Sequence, residues 1–178
     1  FAVPPKLLFS PTLKHYAELW RAWSAFFSGL ANSAIVTAGA TALAVVTSTI
    51  AGYAYARHGG RWMKAGMAGL VIVRLIPPIV VTLPLFPIVN ALRLNDTHVV
   101  LIVLYATFFV SLGTILMRTF IEQIPRELDE AAAIDGAGRL TILWRIIVPL
   151  AAPGILAVSV FVAVYAWNEF LFAFVFTA

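Results

Sequence analysis

The chain has no cysteine among its 178 residues, which excludes disulfides, thiolate metal sites and thiol catalysis. Charge is scarce too. Lys, Arg, Asp and Glu make up 11% of the chain, against about 25% in ordinary soluble domains. His15, His58 and His98 are scattered without ligand-like spacing, so no metal site is expected. No G-x4-G-K-S/T phosphate loop occurs, and the Gly-rich Gly136-Ala137-Gly138 lacks the lysine, so the chain is expected to bind neither ATP nor another cofactor. No nucleophile, base and acid fall together, so it is not expected to be an enzyme on its own. No cleavable signal peptide is visible, and the start at Phe1 and end inside the apolar run 170–178 read as a segment of a longer chain.

What is present is apolar residue in excess. Hydrophobic residues make up 62% of the chain and the mean hydropathy is +0.96, far above the range of a water-surrounded fold. Lipid can solvate such faces, so the 10 prolines and 11 glycines are tolerable where neighbouring helices satisfy the freed backbone. The net charge of +4 and pI near 9.8 fit basic loops of a membrane protein, and no nucleic-acid partner is expected.

A helix needs about 20 apolar residues to cross the hydrocarbon core, and four stretches qualify. The first is free of charge from Ala22 to Ala56, with Ser33 to Ala56 as its span; the second runs from Ala65 to Leu92, interrupted by Arg74. The third is Val99 to Met117, and the fourth starts after Pro149 and reaches Trp167. The expected fold is therefore all-α, a polytopic membrane helix bundle with four transmembrane helices visible. Residues 33–178 form the transmembrane domain, with a loop at about 118–149. Residues 1–32 form an arm carrying Pro4, Pro5 and Pro11 and an interface-lying helix from His15 to Trp23, its Trp20 and Trp23 suited to headgroup depth.

Basic residues cluster in the short loop from Arg57 to Lys64 and, as Arg118, Arg126, Arg139 and Arg145, in the long loop. The positive-inside rule places both in the cytoplasm and the arm outside. Small residues line the first span at Ala34, Ala38, Gly39, Ala42, Ser48 and Gly52, spacing that permits close helix packing. Pro77, Pro78, Pro84 and Pro87 should kink or break the second span; either that break lines a solvated pathway or it serves packing. Arg74, about ten residues into its span, would lie roughly 15 Å deep. Contact with an anionic solute, a structural partner and a later start to the span are its alternative readings. At the far end of the fourth span Tyr165, Trp167, Asn168, Glu169, Phe170 and Phe172 combine aromatic faces with polar groups. That pattern suits a sugar, and equally an interfacial aromatic belt.

The long loop carries the sharpest pattern. Pro125 is placed to start a helix, with Glu127, Asp129 and Glu130 in or near the first turn, where the helix dipole favours acids. Ala131, Ala132 and Ala133 favour helix, and Asp135-Gly136 ends it, since Gly accepts the left-handed conformation after a helix terminus. A second helix is expected over about 138–148, broken by Pro149.

Glu130-Ala131-Ala132, Gly136, Ile146 and Pro149 match E-A-A-x3-G-x9-I-x-L-P with Val148 in place of Leu. At ordinary residue frequencies such a coincidence has a chance of about 10⁻⁷ per starting position, loosened roughly tenfold by the Ala- and Ile-rich composition. This resembles the EAA signature of ABC-importer permeases. The stretch from Gly113 to Ala137, with Ile124-Pro125-Arg126-Glu127-Leu128-Asp129, is similar to their carbohydrate-uptake branch. So are Pro4-Pro5-Lys6-Leu7, Ala54-Tyr55-Ala56-Arg57, Ile76-Pro77-Pro78, Leu83-Pro84-Leu85 and Trp167-Asn168-Glu169-Phe170. Phe108-Phe109-Val110 departs from relatives that carry a proline there.

The resemblance implies a six-helix permease subunit paired with a second, identical or homologous one. It further implies two ATPase subunits holding ATP and Mg, a solute-binding protein outside, and residence in a bacterial cytoplasmic membrane. In that scheme Glu130, Ala131, Ala132, Asp135, Gly136, Ala137, Ile146 and Pro149 form the ATPase-coupling site. Glu130 would meet a basic residue of the ATPase, a contact worth about 1.5–3 kcal/mol, and Ala131, Ala132 and Ala137 would permit close approach. Arg74, Pro77, Pro78, Tyr165, Trp167, Asn168 and Glu169 are the candidate pathway residues. Importers of non-sugar solutes share the loop. An ion-coupled secondary transporter would need buried carboxylates, for which only Glu169 lies near membrane depth. A non-transporting assembly subunit would have its Pro-rich second span packed shut.

Overall fold

A computed structural model of the protein describes residues 12–177; the Pro4, Pro5, Pro11 and Pro4-Pro5-Lys6-Leu7 features and Ala178 lie outside them. All secondary structure among the described residues is helical. The chain divides into two compact units at Ser33–Ala34.

In the first unit, α1 (Lys14–Ala22) is a short amphipathic helix. Tyr16, Trp20 and Trp23 are all exposed, and Trp20 meets Phe27 edge-on at 4.4 Å. Lys14 pairs with Glu18 one turn on at 3.8 Å. The helix α2 (Ser24–Arg57) begins here and supplies the first long element of the second unit.

The second unit is built around α5 (His98–Glu122). On α2 the buried positions Val36, Ala40, Ala44, Ser48, Gly52 and Ala56 recur every four residues, forming a ridge of small side chains against α5. A Cβ at Gly52 would lie 2.7 Å from Met117 Cβ and 2.9 Å from the Arg118 nitrogen, so only glycine permits this approach. Ser48 donates across the same interface to the Val110 carbonyl at 3.2 Å. Of the small residues singled out in the sequence, Ala34, Ala38 and Ala42 face outward.

The Pro-rich second span is two helices, α3 (Arg61–Arg74) and α4 (Pro78–Ala91), bent by 93° at Leu75–Pro77. Pro77 and Pro78 make the break, where the helix cannot continue through the residue before a proline. Pro84 and Pro87 sit inside α4 without breaking it. Past the loop, α7 (Arg139–Leu150) and α8 (Ala152–Trp167) meet at 79°, and a short α9 (Leu171–Phe176) follows. Both α3 and α8 pack on α5, and α9 packs on α4 and α5. The helices α2 and α5 are long and apolar enough to cross a membrane, and each bent pair is so if taken as one span. Outward residues such as Leu83, Leu156 and Phe174 are about two-thirds exposed or more, as lipid-facing side chains should be.

Two expectations on helix ends are corrected. The loop expected from about 118 starts later: α5 contains the apolar stretch 99–117 and runs on to Glu122, with Arg118 and Glu122 pairing at 2.8 Å on its last turns. Nor does Pro149 break the second loop helix. A π-helical turn over Leu143–Ile147 widens the coil just ahead of Pro149, accommodating the missing donor and the ring, and the bend comes at Ala151.

Candidate functional site

The loop between α5 and α7 forms the expected acidic, alanine-rich helix, but Pro125 does not start it: the helix begins two residues later, with Arg126 as its N-cap. Helix α6 (Glu127–Ile134) has Glu127, Asp129 and Glu130 in its first turn. It closes with a Schellman motif: Ala137 N–H donates to the Ala132 carbonyl at 2.9 Å and Gly136 N–H to Ala133 at 3.0 Å, with Gly136 at φ +83°. That left-handed φ is why the position is glycine.

Successive helix residues are about 100° apart, so neighbours in the acidic first turn face different ways. Asp129 turns inward. Its Oδ2 accepts from Arg57 Nε at 2.7 Å and from the Tyr53 hydroxyl at 3.2 Å, and Oδ1 accepts from Arg57 Nη2 at 3.3 Å. The pair is nearly buried, with side-chain exposures of 8% for Arg57 and 15% for Asp129. Arg57 also donates to the Ile121 and Ile124 carbonyls at 3.3 and 3.1 Å, groups left over at the C-terminus of α5. In return Arg126 donates to the Ala56 carbonyl at the end of α2, at 2.8 Å. At the rim Arg139 Nη1 stands 3.3 Å from His58 Nε2, whose Nδ1 is 3.1 Å from the Ala54 carbonyl. Tyr53, Arg57, His58, Asp129, Glu130 and Arg139 line a shallow cleft at this joint.

Glu130 turns outward and is exposed, as are Ala131, Ala133, Asp135 and Gly136. Beside them Ile134 and Leu140 are 86% and 70% exposed, far more than apolar side chains with no partner would favour. Ala132, Ala137 and Ile146 point the other way, half-buried against the hydrophobic core. Pro149 is exposed on α7. The eight motif residues thus fall on two faces of one loop.

The candidate pathway residues do not come together as one group. Arg74 is the exposed last residue of α3, at the elbow with Pro77 and Pro78 rather than within a straight span; a cation suits a helix C-terminus. At the other end of the unit, Tyr165 and Trp167 are about half exposed, and Tyr165 packs on Phe161 at 4.4 Å. Asn168 donates back to the Val164 carbonyl at 2.7 Å. Glu169 acts locally. Its carboxylate accepts from Leu171 N–H at 2.8 Å and Phe172 N–H at 3.1 Å, capping α9. Its own carbonyl accepts from the Tyr105 hydroxyl at 3.4 Å.

The sequence reading missed Tyr53, Arg57, Arg126 and Asp129 as site residues, Asp129 being read only as an acid in the helix's first turn. In the sequence Arg57 stands out only as part of Ala54-Tyr55-Ala56-Arg57 and as the first cation of the basic loop 57–64. Its partner lies 72 residues away, and no local pattern in one sequence reports a pairing at that separation.

Residues 44–178 match the family described as binding-protein-dependent transport system inner membrane component. The chain is 34% identical over 169 residues to the sulfoquinovosyl glycerol transport system permease protein SmoH of Agrobacterium fabrum, covering 95% of this chain and 59% of that one. It is 36% identical over 169 residues to the trehalose transport system permease protein SugB of Mycobacterium tuberculosis, covering 94% and 61%. It thus spans about three-fifths of the length of these relatives. Its fold is shared with a bacterial ABC transporter involved in import of the acidic polysaccharide alginate, at a TM-score of 0.84 and 23% identity, covering 99% of this chain and 63% of that one. An all-helical bundle with an EAA loop closed by Gly136, matched by this family over most of its length, belongs to the binding-protein-dependent transport system inner membrane components.

Proposed function

We propose that the chain is the membrane-spanning permease subunit of an ATP-driven importer, forming part of the translocation pathway for a sugar or related solute. The observation that carries this is the outward face of α6. Glu130, Ala131 and Asp135 are exposed beside Ile134, on a helix that is itself pinned to the bundle through Asp129. Such a face is built to be covered. Its occupant in this reading is an ATPase subunit, with Glu130 meeting a basic residue there, small side chains admitting close approach, and Ile134 and Leu140 supplying apolar area.

Two ATPase subunits hold ATP and Mg; this chain binds no cofactor and no nucleic acid. A second permease subunit, identical or homologous, completes the pathway, and an extracytoplasmic binding protein delivers solute. The chain lies in a bacterial cytoplasmic (inner) membrane with the EAA loop on the cytoplasmic side, in keeping with the basic residues of both loops. The sugar class is supported by the relatives named for a sulfoquinovosyl glycerol and for trehalose, and by the exposed Tyr165 and Trp167 rings next to Asn168. Arg74, Pro77 and Pro78, at the elbow of the broken span, and Glu169 complete the proposed pathway set.

The test is ATP hydrolysis by the full-length permease assembled with its ATPase and binding protein in nanodiscs. The panel would be trehalose, maltose, raffinose, sulfoquinovosyl glycerol and glycerol 3-phosphate. A sugar-dependent rise that vanishes in Glu130→Lys is the expected result. Hydrolysis indifferent to binding protein and to Glu130, or no co-purifying ATPase, returns the reading to an ion-coupled carrier.

A further inference from the structure

We propose that Arg57 and Asp129 are positioning residues that deliver a displacement of α6 to α2 and α5, so that ATPase movement reaches the membrane helices instead of being absorbed in the loop. The inference rests on the importer reading of α6.

Helix α6 is only 8 residues long and hangs between two turns, 123–126 and 135–138. A push on its outer face would be dissipated in those turns unless the helix were tied to something stiff. The tie is reciprocal. Arg57, on the last turn of α2, grips Asp129 with two nitrogens and spends its remaining reach on the carbonyls of Ile121 and Ile124 at the end of α5. Arg126, just ahead of α6, reaches the Ala56 carbonyl at the end of α2. Each guanidinium therefore occupies the electronegative terminus of the other segment's helix. Tyr53 adds a third donor to Asp129, one helical turn from Arg57.

Three features suit this joint to transmitting force. The planar guanidinium fork fixes orientation as well as distance. Burial keeps the pair from salt screening. Buried ion pairs contribute little net stability compared with apolar packing, and in some proteins what they supply is a single arrangement of the parts they join, the role assigned to this pair. Asp129 and Glu130 then divide the work: one holds the bundle, the next faces the partner.

The experiment uses Arg57→Lys and Asp129→Asn in the full-length complex in nanodiscs. Arg57→Lys keeps a cation beside Asp129 but cannot form the fork or reach both carbonyls. Two readouts are taken on equal amounts of assembled complex. One is stimulation of ATP hydrolysis by binding protein and whichever panel sugar stimulates the unmodified complex. The other is the distance between spin labels on cysteines replacing Leu128 of α6 and Ile50 of α2, with and without ATP and vanadate. The expected result is retained co-purification of the ATPase, stimulation reduced at least tenfold, and a label distance, single and constant in the unmodified complex, that shifts or broadens in both variants. Stimulation within twofold of the unmodified complex, or loss only in proportion to lost assembly, overturns the proposal. If the unmodified complex shows no sugar-dependent stimulation, the importer reading itself fails, and this inference with it.

Discussion

A carboxylate is tied down at each end of the helix bundle, Asp129 at the loop end and Glu169 at the other, and the two are held differently. At the loop end Asp129 is held by side chains from another helix, Arg57 and Tyr53, more than 70 positions away. At the opposite end the Glu169 carboxylate is held by the amides of Leu171 and Phe172, two and three residues on, with only its backbone carbonyl reached from another helix, by the Tyr105 hydroxyl. A local cap decides where one helix begins. A distant fork decides where two elements stand relative to each other. The contrast separates a residue that shapes its neighbourhood from one that links motions, although both are acidic residues beside apolar runs.

The comparison can be broken hardest at the loop end. Arg57→Ala or Asp129→Ala leaves one nearly buried charge without its partner, expected to cost about 3–5 kcal/mol, seen as a fall in the thermal midpoint of the solubilised protein. Gly52→Val would force a side chain into Met117 and the α5 backbone, costing about 1–3 kcal/mol by overpacking; the same unfolding measurement reads it. Gly136→Ala places a Cβ at φ +83° and should cost about 1–2 kcal/mol. Its signature is weaker ATPase co-purification with the rest of the fold intact. Glu169→Ala removes the α9 cap at about 0.5–2 kcal/mol. If the two ends differ as argued, it leaves the spin-label distance between Leu128 and Ile50 unchanged, and a change there would erase the distinction. The smallest effect belongs to the exposed pair Arg118–Glu122, whose removal should cost about 0.3–0.5 kcal/mol and disappear in high salt.

Local chemistry makes much of this legible in the sequence. The acidic first turn, the alanine run and Asp135-Gly136 specify α6 and its end through dipole, propensity and a left-handed φ, all properties of consecutive residues. Pro77-Pro78 specifies the elbow between α3 and α4 for the same reason. Pro149 misleads because a proline's missing donor can be absorbed by a π turn upstream, which depends on how the preceding residues pack. The motif residues read as one group in the sequence. The folded loop divides them, with Glu130, Ala131 and Asp135 outward and Ala132, Ala137 and Ile146 against the core.

The sequence by itself determined the solvent, the helical class and the position of the loop helix, because lipid solubility, backbone propensity and turn chemistry act over a few residues. Only the tertiary structure decided that Asp129 belongs to Arg57 and that small residues at every fourth position of α2 form a ridge on α5. Those choices turn on which helices come together and at what rotation. That outcome is set by packing over the whole bundle, which no short window of residues contains.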